Sequence, residues 1–161
     1  MLKKLLLKAV KIIGAGALLL GTSASVANAK DVDAIRSLFE RQIKAENDHN
    51  IAEFASVLVP SASDLSGSTV MVTRAGKFTG RDTVVDHFAG YFKGTWKLDC
   101  DWTQLSILPL GSDTYHLLVP ARITLGPPGK EPQTLSFLVN EIAVRTSDGW
   151  RFTTIVPVLT Q

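Results

Sequence analysis

The chain is short of thiols. Cys100 is the one cysteine among 161 residues, so no intrachain disulfide can form and packing alone must hold the fold. Between Leu98 and Trp102 it reads as a small buried apolar residue. Histidine is equally sparse. His49, His87 and His116 show neither His-x-x-x-His nor His-x-His spacing, so no metal is expected. A Gly-x-Ser-x-Gly elbow, a Walker loop and a dinucleotide fingerprint are all missing, and no cofactor is expected. The apolar run Ile12 to Leu20 falls short of the roughly 20 residues that span a bilayer.

An excess of positive charge is also lacking once its source is located. Four of the 17 basic residues (Lys3, Lys4, Lys8, Lys11) lie in the first 29 positions, which hold no acidic side chain. The remainder carries 13 basic against 15 acidic residues. Such a balance gives no general reason to bind nucleic acid or an anionic membrane.

Those first 29 residues have a basic start, an apolar stretch and a small-residue end, Ala27-Asn28-Ala29. These are the three regions of a secretory signal peptide. The expectation is a signal peptide over 1–29 and one periplasmic or secreted domain over 30–161, with no membrane attachment after cleavage.

From Asp31, the residues Val32, Ile35, Leu38, Phe39 and Ile43 recur at helical spacing, which predicts an amphipathic helix to about Asn47. Asn50 with Glu53 forms a capping-box pattern for a second helix to about Leu58, stopped by Pro60. Residues 69–73 and a return from Phe78 read as a hairpin, and Val84, Val85, Phe88 and Phe92 as a third helix. Long strands follow. Trp96, Leu98, Cys100 and Trp102 alternate, and the switch of parity to Leu105 and Ile107 predicts a β-bulge. Pro120 within the next strand predicts an edge or an irregularity. The strands are apolar on both parities in places, so one face is expected to cover the helices and the other to meet a partner chain.

Helices, hairpin, helix and then a long antiparallel meander is an α+β order. With Asp33 to Phe39, Ala45 to Ala62, Gly80 to Phe92 and Asp148-Gly149-Trp150-Arg151-Phe152, the chain resembles the SnoaL-like branch of the nuclear-transport-factor-2-like superfamily. The resemblance implies a barrel-like, curved antiparallel sheet wrapped on three N-terminal helices as a cone. It also implies an apolar pocket at the wide end and homodimerisation through the sheet. It carries over no catalytic set. Gln42 stands where the ketosteroid-isomerase branch has its helix-one tyrosine, Ser66 (with Asp64 nearby) where it has its aspartate, and Val156 where many SnoaL-like members have histidine.

Acid–base chemistry in such a cone needs an ionisable group with a perturbed pKa beside a hydrogen-bond donor. Glu141, among Val139, Ile142 and Ala143, is the leading carboxylate, with Tyr115 and His116 as further catalytic candidates. Glu141 and Asn140 point to opposite faces, so only one can look inward. The plainer reading of Glu141 is a strand residue paired with Arg122. Ligand-binding candidates are Tyr91, Trp102, Arg122 and Asn140, whereas Trp96 and Trp150 read as packing.

Three functions follow as expectations: binding of a small, largely apolar molecule, an acid–base isomerase, lyase or cyclase, or an interaction module. A buried Glu141 facing a cavity, with a donor in reach, favours the enzyme. A filled cone favours the interaction module.

Overall fold

The computed structural model describes residues 28–61 and 69–160. The signal-peptide reading rests mainly on residues 1–27, which lie outside these, as do Asp64 and Ser66.

Helix α1 spans Ala29–Asn47 and is capped by Asn28, whose side chain accepts from the Lys30 amide. The proposed cleavage point after Ala29 thus falls at its first turn. Ile35, Leu38, Phe39 and Ile43 form its buried stripe, as the spacing predicts. The same stripe also carries Gln42 and Glu46, each almost completely buried. Helix α2 (Ile51–Val57) starts at Asn50, whose side chain accepts from the Glu53 amide at 3.1 Å. The hairpin β1 (Val70–Thr73) and β2 (Gly76–Thr79) precedes α3 (Arg81–Tyr91).

The remaining strands are β3 (Thr95–Cys100), β4 (Ser106–Pro109), β5 (Thr114–Gly126), β6 (Gln133–Thr146) and β7 (Gly149–Leu159). The sheet runs β2-β1-β7-β6-β5-β3, with β4 also paired to β5. It is curved, unclosed and mixed. All neighbours are antiparallel except β1 and β7, which are parallel, a departure from the all-antiparallel expectation.

One local reading is corrected. The parity switch after Trp102 is not a bulge. β3 ends at Cys100, Asp101 caps a single turn of tighter helix over Trp102–Gln104, and β4 starts afresh. The register shift lies instead between β6 and β7, where Ile142 faces Thr154 and Ala143 faces Phe152. Pro120 sits in β5 where its neighbour changes from β3 to β4, the irregularity its ring predicts. Its carbonyl accepts from the Asp101 amide at 2.9 Å, so the missing donor falls on the side where the ladder is already interrupted.

Burial alternates along the long strands. Tyr115, Leu117, Val119, Ala121 and Ile123 of β5 face the helices, as do Val139, Glu141 and Ala143 of β6. Phe39, Phe54 and Phe152 are the largest fully buried side chains of the core between the two layers.

Candidate functional site

β3 is an edge strand, and its free backbone groups would be a liability if left open. The end of α1 covers them. Asn47 donates from Nδ2 to the Leu98 carbonyl at 2.9 Å and accepts the Leu98 amide on Oδ1 at 2.7 Å. The His49 ring nitrogen lies 3.1 Å from the Trp96 carbonyl. This lock fixes the last turn of α1 against the sheet and so positions Glu46.

Glu46 meets Glu141 through Gln42. The Gln42 amide donates from Nε2 to Glu46 Oε1 at 3.0 Å and to Glu141 Oε1 at 2.7 Å, which uses both of its protons. Trp96 Nε1 donates to Glu46 Oε2 at 3.1 Å. Glu46 is 2% exposed and Glu141 1%. Two carboxyl groups are therefore buried together, and among the described residues neither has an ion-pair partner.

Burial raises the Glu46 carboxyl to about 7, against the lowering effect of the Gln42 and Trp96 hydrogen bonds. Burial, and then the Glu46 charge, hold Glu141 well above the carboxylate range, again opposed by Gln42. Both carboxyls therefore keep their protons to higher pH than a free carboxyl does, and Glu46, at about 7, is poised to gain or lose one near neutrality. Glu141 Oε2 is buried without a hydrogen-bond partner among the described residues.

Both carboxyls line a cavity of about 380 Å³. Leu98, Ile123, Val139 and Ile155 form apolar walls, with Phe88, Tyr91 and Trp96 as an aromatic side and Arg74 in the β1–β2 turn. The volume is that of a small-molecule site. This floor can donate one proton, accept another and hold an apolar molecule between.

Of the residues singled out in the sequence, Glu141 and Tyr91 line this cavity. Inward parity on β6 belongs to Glu141, so Asn140 faces outward and its Nδ2 donates to the Leu138 and Val156 carbonyls. Arg122 is exposed on the outer parity opposite Ser136, and cannot be the partner of Glu141, whose register neighbours are Leu117 and Ile155. His116 shares that outer parity, opposite Ile142. Tyr115 points inward but at the far end of the core. Its ring meets Trp150 edge-on and its hydroxyl accepts from the Asn28 amide at 3.2 Å. Asn28 precedes α1, and Glu46 lies about 27 Å further along the helix axis. Trp102 packs edge-on against Phe39 instead of lining the cavity. Trp96, read from sequence as packing, supplies a wall and a hydrogen bond to Glu46.

Sequence reasoning missed Glu46 and the bridging role of Gln42. A signal was present: both fall at i and i+4 inside the Ile35-Leu38-Phe39-Ile43 stripe, where a polar residue must be buried. Cys100 is buried, and burial raises its thiol to about 12, as befits an inert core residue.

Three helices packed on a curved, unclosed sheet, with a cavity between the layers, define the nuclear-transport-factor-2-like fold, which is also called cystatin-like. Solved structures share it. A nuclear transport factor 2 superfamily protein from Salmonella enterica matches with a TM-score of 0.70 at 11% identity, over 84% of this chain and 94% of that one. A provisionally assigned dehydratase of the same superfamily from Streptomyces avermitilis matches at 0.69 and 17% identity, over 81% and 97%. An uncharacterized protein with a cystatin-like fold from Caulobacter vibrioides matches at 0.67 and 17%, over 82% and 91%. No family model and no curated protein matches the sequence.

Proposed function

We propose that this protein is an exported acid–base catalyst of the isomerase or lyase type, acting on a small, largely apolar carbonyl compound in its cavity. The observation that carries this reading is the pair of buried carboxyls, Glu46 and Glu141, bridged by Gln42 on the cavity floor. Glu141 lends its proton as a hydrogen bond to the substrate oxygen. Glu46 removes a proton from the adjacent carbon, and the C–H electron pair moves toward that oxygen, where charge develops. Return of the proton to another carbon isomerises the substrate, and loss of a leaving group instead eliminates it. The split resembles other sites in which environments push two carboxyl pKa values apart. The dehydratase assignment in the name of the Streptomyces protein, a lyase activity, is compatible with it.

Binding without catalysis is the second reading, favoured by the predominantly apolar lining. An open cavity argues against an interaction module with a packed cone. The outer face of the sheet, where Leu118, Leu138, Ile142 and Val156 surround Asn140, supports a homodimer.

A nitrobenzisoxazole separates catalysis from binding, because a carboxylate in an apolar site takes its ring proton as the N–O bond breaks. The protein should open this ring faster than acetate at equal pH, with a rate that rises through the ionisation of Glu46. Glu46→Gln should lose about 100-fold or more, the contribution of a positioned base. Wild-type protein no faster than acetate ends the catalytic reading and leaves binding.

A further inference from the structure

The cavity has two chemically different ends. Its floor carries two buried carboxyls, Glu46 and Glu141, of which Glu46 ionises at about 7. An anionic group on a ligand would be repelled there. Between the ends the wall is apolar, with Leu98, Ile123, Val139 and Ile155, and offers a charge nothing. At the other end stands Arg74, the one basic side chain among the described residues that line the cavity.

Arg74 lies in the exposed turn between β1 and β2. That turn is held by Gly76 at a φ of 139° and by the Ala75 amide donating to Thr73 Oγ1 at 3.1 Å. A second groove adjoins the cavity and shares Arg74, Tyr91, Leu125 and Leu135 with it, so these four residues mark the mouth. Among the described residues the groove adds Lys130, one acid, Glu131, and His87, whose Nε2 has no hydrogen-bond partner there.

The other arginines near the core are occupied. Arg41 is bound to Glu53, Arg81 to the Ala55 carbonyl and Arg145 to Asp31 and Asp113. Arg74 has no such partner among the described residues, although its planar fork suits an oxyanion.

We infer that Arg74 is a specificity-determining residue, and that the substrate is an elongated apolar molecule with an oxyanion at the end opposite its reacting carbonyl. Arg74 holds the oxyanion at the mouth, and the carbonyl is thereby delivered to Glu141. This rests on the reading of the floor as the acid–base site, and it adds a direction to that site: one end of the substrate is chosen by charge before the other is touched.

Two fluorescent dyes that differ only in a sulfonate test it, anilinonaphthalenesulfonate and the neutral phenylnaphthylamine. Wild-type protein should bind the sulfonate about tenfold more tightly, the ratio expected of a charge-assisted hydrogen bond at a half-exposed position. Arg74→Gln should abolish this preference while leaving the neutral dye's affinity unchanged, and Arg74→Lys should restore part of it. Lys130→Gln should preserve it. Leu135→Trp, which narrows the mouth, should weaken both dyes. Equal binding of the two dyes to wild type, or a preference that survives Arg74→Gln or is lost in Lys130→Gln, overturns the role of Arg74 and leaves the acid–base reading intact. Failure of both dyes to bind overturns the inference together with the cavity on which it depends.

Discussion

Glu46 and Glu141 make the folded state hold protons that the unfolded chain gives up. Their native pKa values lie above the unfolded ones, so their contribution is fully present below about 4.5 and is lost as pH rises through the folded values. For Glu46, a rise from 4.5 to about 7 corresponds to about 3 kcal/mol, and Glu141 acts with the same sign. Urea unfolding should therefore show the protein to be less stable at pH 8 than at pH 5. Replacing either residue by Gln keeps an acceptor for Gln42 and removes the charge, and should flatten that slope. Greater stability of the wild type at pH 8 would contradict the buried pair. At this scale the sequence was informative in part. Glu141 stands out because its neighbours are apolar, whereas Gln42 and Glu46 look like ordinary helix polar residues until their phase on the apolar stripe is drawn.

At the scale of elements, the site depends on how one helix end meets one strand edge. Asn47 replaces a missing neighbouring strand for Leu98, giving a donor and an acceptor at once. Asn47→Ala leaves both Leu98 groups without that partner and should cost about 2 to 3 kcal/mol in chemical denaturation. It should also loosen Glu46, one residue earlier, and lower nitrobenzisoxazole turnover more than a substitution of equal cost in α2. A loss of stability with turnover unchanged would mean that the lock does not position the acid pair. The element order and most boundaries were legible, because helical periodicity, the Asn50 cap and strand alternation are local patterns. The tight turn at Trp102 was not. A strand that stops and one that bulges give the same change of parity, and only the pairing of β3 and β4 with successive parts of β5 separates them.

The whole molecule presents an outer sheet face with Leu118, Leu138, Ile142 and Val156 half-buried and Val158 and Leu108 exposed at 47% and 51%. If this face joins two copies, Val156→Asp should convert a dimer to a monomer in sedimentation, since an unpaired carboxylate in an apolar interface is costly. An unchanged mass would remove the sheet as the interface. The sequence by itself determined the α+β order, the alternation of inward and outward strand residues, and the near-neutral balance of the chain beyond residue 29, because each follows from local spacing or from a count. Tertiary structure alone decided which parity looks inward. It also placed Tyr115 at the far end of the core, Arg122 on the outer face, and Glu46, 95 positions from Glu141, beside it through Gln42. A shared hydrogen-bond donor between distant residues is set by how helix and sheet pack, and no local pattern in either segment records its partner.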